Sequence, residues 1–131
     1  MVAHLHHGTR LAALLVLVAI GLAASAQQAS ARTPYAPEEI RVDALPAEAR
    51  ATLERIRTGS RPSYERDGVV FGNREHLLPA KPRGYYHEYT VKTPGARTRA
   101  ARRIVCGGEI RTPAECYYSS DHYRSFKRIA P

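Results

Sequence analysis

The stretch that most constrains this chain is residues 85–91, with the sequence YYHEYTV. Aromatic and β-branched residues fill it, which favours a β-strand. Because strand side chains alternate, Glu88 shares one face with Tyr86 and Thr90, and the other four residues face the opposite way. A carboxylate among so many apolar residues is either surface decoration or the reason for the strand. We favour the second interpretation.

The charge of the chain restricts its partners. The 131 residues carry a formal net charge of +8, and the length allows one domain. A strongly basic protein favours a polyanionic partner, either nucleic acid or an anionic membrane surface. The charge by itself does not choose between the two.

Residues 1–31 are predicted to be a secretory signal peptide that is cleaved. Arg10 precedes an uncharged apolar run over residues 11–24, and small-x-small cleavage sites occur at 24–26 and 29–31. The alternative is a membrane anchor, but the run is shorter than the roughly 20 residues that span a bilayer. We therefore expect a secreted, extracellular protein without stable membrane association, and cleavage after Ala31 would leave a net charge of +7.

The metal-binding residue types give no metal site. The histidines at positions 4, 6 and 7 lie in the segment that is removed, and no Cys/His pattern suggests zinc. We expect neither a metal nor a cofactor. Export permits a disulfide, and Cys106 and Cys116 would meet if they lie on paired strands of one hairpin. The alternative is two unpaired thiols, so the disulfide is a hypothesis.

The remaining chain predicts one α+β domain over residues 45–131, after a loose leader over residues 32–44. Pro46 begins a helix that Gly59 ends, with an apolar stripe on one side. Turn signals then separate five short strands, predicted at residues 69–71, 85–91, 102–106, 116–119 and 125–129. This order predicts one N-terminal helix packed on a twisted antiparallel sheet.

Four groups of residues suggest chemistry on RNA. They are Glu88, the arginines near residues 97–103, residues 121–123, and the turn at residues 72–75. Cleaving RNA without a metal needs a base, an acid and cations that stabilise a phosphorane-like transition state. A carboxylate among arginines, a histidine and guanidinium groups supply these roles. We also expect Arg103 to face Glu88 across neighbouring strands. Each group alone is more often a solvated surface feature.

Five blocks of sequence, in order, resemble the bacterial guanyl-specific ribonucleases, which include barnase and its smaller actinobacterial relatives. The likeness is nearer to the smaller relatives and spans most of residues 45–129. The blocks are residues 67–75 (DGVVFGNRE), 85–91 (YYHEYTV), 93–99 (TPGARTR), 102–104 (RRI) and 121–123 (DHY). The resemblance implies the microbial ribonuclease fold.

The resemblance also implies a reaction and its residues. The reaction is cleavage of single-stranded RNA 3′ to guanosine through a 2′,3′-cyclic phosphate that is then hydrolysed. Glu88 would be the general base and His122 the general acid. Arg99 and Arg103 would clamp the phosphate, and Arg74 would add positive charge. The arginine four residues before Arg103 matches the family pattern, which selects Arg99.

Guanine recognition is implied by the same blocks. Backbone N–H groups of residues 72–74 and the Glu75 carboxylate would read the guanine edge, which suits a splayed single-stranded base. Phe71 and Tyr123 would support or stack on the base. Gly72 departs from the family, whose members usually carry a side chain there. The guanine-binding residues implied are Phe71, Gly72, Asn73, Glu75 and Tyr123.

One further partner, the oligomeric state and two alternative functions complete the expectations. Family members are bound by acidic barstar-like inhibitors, which fits a basic surface, and we expect a monomer. One alternative is a catalytically weak cationic protein that binds RNA or cell envelopes. Such a protein would not need Glu88, His122, Arg99 and Arg103 together. The other alternative is a toxin nuclease, which usually carries a delivery module.

Overall fold

The computed structural model describes residues 36–131. The predicted signal peptide and the first residues of the predicted leader lie outside the described residues. Within the described part, no helix is long and apolar enough to cross a membrane.

The predicted helix is present as α1 (Ala47–Thr58). Pro46 precedes it, and the Pro46 carbonyl accepts the backbone N–H groups of Ala49 and Arg50. Gly59 ends the helix in the left-handed conformation with φ 64°, which glycine adopts without steric cost. The predicted apolar stripe is buried, since Ala49, Leu53 and Ile56 are all in the core.

Six strands form one sheet, and α1 packs on one of its faces. The strands are β1 (Glu38–Arg41), β2 (Val69–Val70), β3 (Tyr86–Thr90), β4 (Arg103–Gly108), β5 (Pro113–Ser119) and β6 (Lys127–Ala130). Their order across the sheet is β1-β6-β5-β4-β3-β2. Four of the five pairings are antiparallel, but β1 and β6 are parallel. The α+β prediction is confirmed, and the sheet is mixed rather than wholly antiparallel.

The prediction of a loose leader over residues 32–44 is wrong for residues 38–44. Residues 38–41 form strand β1, and Val42–Ala44 form a short 3-10 helix. Strand β1 pairs with β6, and two ion pairs, Lys127–Glu38 and Arg128–Glu39, lie along this pairing. The polar, proline-containing sequence of this stretch does not by itself indicate a strand, because the strand it pairs with is at the other end of the domain.

Strands β3, β4 and β5 separate two cores, one on each face of the sheet. On the helix face, Tyr89, Ile104 and Tyr118 pack with α1 residues. On the opposite face, here called the site face, Tyr86, Val105 and Tyr117 form a second cluster. The buried polar residues of these strands, Glu88, Thr90, Arg103 and Ser119, all belong to the site face by register.

The two cysteines form a disulfide on the helix face. Cys106 of β4 pairs directly with Cys116 of β5, with Cα atoms 4.1 Å apart, and the sulfur atoms are bonded. Both residues are buried within the helix-face cluster. The bond therefore joins the two central strands of the sheet beneath α1.

Candidate active site

Glu88 projects from β3 onto the site face, where its side chain is 10% exposed. Its neighbours across the sheet are Val69 of β2 and Val105 of β4, which offer it no polar group. Arg99 supplies the missing partner: its Nη2 donates to Glu88 Oε1 at 3.1 Å, and its Nε donates to Thr90 Oγ1. A nearly buried carboxylate is thus kept beside a permanent positive charge.

Arg103 is held rigidly, and one nitrogen of its guanidinium group is left without a hydrogen-bond acceptor in the described part of the chain. The residue is 2% exposed, and its Nη1 donates to the backbone carbonyls of Ala100 and Arg102 at 2.9 and 2.8 Å. Its Nε donates to Tyr123 Oη at 3.0 Å. Among the described residues, Arg103 has no carboxylate partner and its Nη2 donates no hydrogen bond. The guanidinium is therefore positioned by neutral groups and keeps a donor for an anion.

The register of β3 and β4 corrects one expectation. Arg103 lies opposite Thr90, and Glu88 lies opposite Val105, so Glu88 and Arg103 are diagonal neighbours rather than a directly facing pair. Gly107 offers a physical reason for this register. A Cβ at Gly107 would come within 2.3 Å of the Tyr85 ring and 2.9 Å of the Tyr86 ring. The two rings therefore require a strand position without a side chain beside them, and Gly107 provides it.

His122 lies on a loop that Asp121 organises. The Asp121 carboxylate accepts hydrogen bonds from Ser119 Oγ and from the backbone N–H and Oγ of Ser125, at 2.7–3.0 Å. Partial burial opposes ionisation, but these hydrogen bonds outweigh it and hold the pKa of Asp121 below its ordinary value. His122 and Tyr123 are both left-handed, with φ 58° and 69°. The loop thus fixes a strained backbone that leaves the His122 side chain exposed.

Tyr123 connects the site face to the turn at residues 71–75. Its hydroxyl accepts the Arg103 hydrogen bond, and its ring stacks on Phe71 with centroids 5.2 Å apart. The His122 ring is 4.9 Å from it. Burial raises the pKa of Tyr123, and the nearby Glu88 carboxylate raises it further against the opposing charge of Arg103. Tyr123 is therefore adjacent to the candidate acid, base and phosphate-binding groups together.

The turn at residues 71–75 is held open by Asn73. Its side chain donates to the Leu78 carbonyl at 2.9 Å and accepts the Leu78 N–H at 3.0 Å, and its backbone is left-handed with φ 46°. Within the described chain, the backbone N–H groups of residues 72–75 donate no hydrogen bond. Unpaired backbone donors on a fixed turn are available to a ligand.

A cavity of about 540 Å³ borders this turn. Residues 71–75 and residues 81–84 both line the cavity, and Val70 and Tyr86 complete the lining. A Cβ at Gly72 would meet only the Arg74 side chain, at an ordinary 3.6 Å, so this position accepts a side chain. Glu88, Arg99, Arg103 and His122 lie outside the lining, so the cavity is a neighbouring compartment.

The structure separates the remaining arginines by position. Arg97 is exposed and pairs with no carboxylate in the described residues, whereas Arg102 approaches Glu48 of α1, with 3.7 Å between Nη1 and Oε2. Thr90, which holds Arg99, was missed from the sequence, although it shares the face of Glu88 by alternation. In residues 36–131, no three His, Cys, Asp or Glu side chains are grouped to hold a metal ion.

Known proteins share both this sequence and this fold. A family model described as ribonuclease matches residues 27–130. Guanyl-specific ribonuclease Sa3 of Kitasatospora aureofaciens is 56% identical over 86 residues, which cover 66% of this chain and 59% of that protein. Guanyl-specific ribonuclease Sa of the same organism is 52% identical over 88 residues, which cover 67% of this chain and 88% of that protein.

A solved structure agrees with the sequence matches. Ribonuclease Sa2 with guanosine-2′-cyclophosphate matches with a TM-score of 0.67 and 47% identity, over 73% of this chain and 98% of the other. The chain spans less than two thirds of ribonuclease Sa3 but nearly all of the Sa2 chain. The resemblance inferred from the sequence is confirmed: the chain belongs to the ribonuclease family, among its guanyl-specific ribonucleases.

Proposed function

We propose that this protein is an endoribonuclease that cleaves single-stranded RNA on the 3′ side of guanosine. This proposal rests mainly on a group of contacting residues on the site face. A nearly buried Glu88 is paired with Arg99, and beside them Arg103 is buried with an unused donor. An anion that approaches these residues meets a carboxylate base and two fixed guanidinium groups. Relatives with guanyl-specific names, and the Sa2 structure with a guanosine cyclophosphate, support the substrate class.

In the first step, Glu88 takes the proton of the ribose 2′-hydroxyl. The 2′-oxygen attacks phosphorus, the bond from phosphorus to the 5′-oxygen breaks, and protonated His122 gives its proton to that leaving oxygen. The product is a 2′,3′-cyclic phosphate. The Arg99 contacts to Glu88 and Thr90 keep the carboxylate oriented, because both acceptors lie on the same rigid strand.

In the second step, the roles of the acid and the base are exchanged. His122 takes a proton from water, the water oxygen attacks phosphorus, and the bond from phosphorus to the 2′-oxygen breaks. Glu88 returns its proton to the 2′-oxygen, which yields the 3′-phosphate. Neither step requires a metal, since the chain supplies both proton-transfer groups.

Charge stabilisation falls to the arginines. The phosphorane-like transition state carries more negative charge on its non-bridging oxygens than the substrate does. Arg103 needs no reorganisation to meet this charge, because four neutral acceptors already hold its Nε and Nη1. Arg99 contributes from its position beside Glu88 and Thr90, and exposed Arg74 adds a longer-range positive potential.

Guanine selection is proposed at the turn of residues 71–75. The backbone N–H groups of residues 72–74 have no partner in the described domain and would donate to the guanine O6 and N7 acceptors. Glu75 would accept from the N1–H and N2–H₂ groups. The stacked pair of Phe71 and Tyr123 would carry the base plane.

The cellular setting is part of the same proposal. We propose that residues 1–31 direct secretion and that the mature domain acts as a monomer outside the cell. An acidic barstar-like protein would then protect the producing cell, because a basic substrate site favours an acidic inhibitor. N-terminal sequencing of protein from the culture medium tests whether residues 1–31 direct secretion and are removed. A mature chain that begins at Gln27 or Arg32 supports this proposal, and a secreted chain that still begins at Met1 refutes it.

The decisive test is digestion of end-labelled single-stranded RNA with the purified mature protein in EDTA. We expect cuts only after guanosine, with a cyclic phosphate appearing before the 3′-phosphate. Cuts after every base would refute guanine selection, and no cuts without added metal would refute the mechanism.

A matched pair of variants separates recognition from charge. Glu75→Gln changes the group proposed to read guanine, whereas Glu65→Gln removes one exposed carboxylate from a separate turn. Glu75→Gln should reduce the preference for guanosine over adenosine by roughly 10- to 100-fold, the usual worth of a bidentate base contact. An unchanged preference would refute the readout by Glu75.

A further inference from the structure

Residues 81–84, which line the same cavity, form a preformed turn that carries two cations. The N–H of Tyr85 donates to the Pro82 carbonyl at 3.1 Å, and Gly84 is left-handed with φ 88°. Lys81 Nζ lies 5.0 Å from the centre of the Tyr85 ring. That ring is itself anchored by the hydrogen bond from its hydroxyl to Glu115 at 3.1 Å. The turn and its lysine are therefore held in place without an ion pair between Lys81 and a carboxylate of the described chain.

These cations have no partner of opposite charge within the described domain. Neither Lys81 nor Arg83 forms an ion pair or a side-chain hydrogen bond there, although five other ion pairs are present. Together with Arg74, they give the cavity lining three positive side chains against the single carboxylate of Glu75. The cavity thus attracts an anion that the proposed catalytic residues do not themselves hold.

The connectivity of RNA identifies this anion. A guanosine within RNA carries one phosphate on its 3′ side and one on its 5′ side. If the proposed function holds, Glu88, Arg99 and Arg103 hold the 3′ phosphate, and the turn of residues 71–75 holds the base. The cavity shares that turn but none of the catalytic residues. The phosphate that remains for Lys81 and Arg83 is the one on the 5′ side.

We propose that Lys81 and Arg83 bind the phosphate on the 5′ side of the recognised guanosine. This inference rests on the proposed function and adds a second phosphate site to it. The enzyme therefore favours RNA with a nucleotide upstream of guanosine over the dinucleotide GpU. Exposed Val70, on the same cavity, offers an apolar surface to the upstream base.

The test compares kcat/KM on GpU, UpGpU and GpUpU for three proteins. They are the wild type, the double variant Lys81→Ala/Arg83→Ala, and the control Arg57→Ala/Arg111→Ala. The control removes two exposed cations near the end of α1, and neither arginine forms an ion pair or side-chain hydrogen bond in the described chain. Thermal melting of each variant verifies that it is folded.

The double variant should lose roughly tenfold more kcat/KM on UpGpU than on GpU, because only UpGpU carries the 5′ phosphate. The slope of log KM for UpGpU against the logarithm of salt concentration should decrease in magnitude by about 0.7, because the double variant loses its contact with one phosphate. The control should show neither change.

The other outcomes overturn the inference in distinguishable ways. A selective loss on GpUpU would place the phosphate downstream of the cut. An equal loss on all three substrates, or the same loss in the control, would reduce the two residues to general positive charge. Failure of the wild type to cleave any of the three would refute the proposed function, and this inference with it.

Discussion

The two faces of strands β3, β4 and β5 are built from alternating residues of the same segments, yet they differ in chemistry. The helix face presents Tyr89, Ile104 and Tyr118 to α1, and a disulfide lies among them. The site face buries Glu88 and Arg103. A shift of one residue along β3 thus separates packing from the proposed catalysis.

The difference teaches where stability and activity reside. Burial of apolar side chains on the helix face contributes free energy of folding in proportion to the area removed from water. Charges on the site face lose hydration when they are buried, and their pairing roughly offsets that cost. Substitution of the charged residues on the site face is therefore expected to change the rate far more than the stability, and substitution in the helix-face core to do the reverse.

The largest expected effect is that of His122→Ala. Loss of a general acid should lower kcat by roughly 10²- to 10⁴-fold, while the melting temperature stays close to that of the wild type because the side chain is exposed. His87→Ala is the matched control, because His87 lies on β3 but on the helix face. This variant should keep the kcat of the wild type. Similar kcat values for the two variants would break the division between the faces.

Ile104→Ala tests the helix face. Ile104 is fully buried beneath α1, and its truncation should lower the free energy of unfolding by about 2–5 kcal/mol. The kcat measured well below the melting temperature should stay within a few-fold of the wild type. Urea denaturation gives the first quantity and RNA cleavage the second. A large loss of kcat in a folded variant would show that the faces are coupled.

Removal of the disulfide sharpens the same comparison. The bond closes a loop between positions ten apart, and the chain-entropy model gives about 2–3 kcal/mol for its loss. Cys106→Ala/Cys116→Ala should therefore melt lower than the wild type in oxidising buffer. A reducing agent should lower the melting temperature of the wild type and not that of the double variant. Equal melting temperatures for the two proteins would show that the bond contributes no stability.

The smallest effect concerns the loop that holds His122. The lowered pKa of Asp121 means that its contribution to stability is present above the unfolded value, near 3.9, and is lost as pH falls through the folded value. Asp121→Asn should cost about 1 kcal/mol at neutral pH, and the difference from the wild type should shrink between about pH 5 and pH 2. Melting curves across that range measure it, and a constant difference would contradict the assignment.

The sequence predicted the helix, five of the six strands and the alternation that places Glu88. These follow from local patterns, such as the apolar stripe of α1 and the aromatic run of β3. Strand β1 was missed because its partner among the described residues is β6, at the far end of the domain. The register of Arg103 was also missed, since it depends on the fit of two tyrosine rings over Gly107.

The site was found from the sequence only in part. The residue types suggested acid–base chemistry on a phosphate, but the roles of Arg99 and Glu75 came from the family resemblance. No spacing rule foretold that Tyr123 would contact both Arg103 and Phe71, because three separate segments meet there. The sequence shows Lys81 and Arg83 only as two cations of a polar loop and gives no indication of a site. Their common position becomes visible only in the structure, where both line the cavity.

The central claim is most directly tested at two adjacent positions of β3 that face opposite ways. Glu88→Gln and Tyr89→Phe should be compared for kcat on a guanosine-containing RNA and for melting temperature. We predict that Glu88→Gln loses roughly 10²- to 10⁴-fold in kcat and stays folded, whereas Tyr89→Phe keeps its kcat within a few-fold. A folded Glu88→Gln enzyme with nearly wild-type kcat would contradict the account.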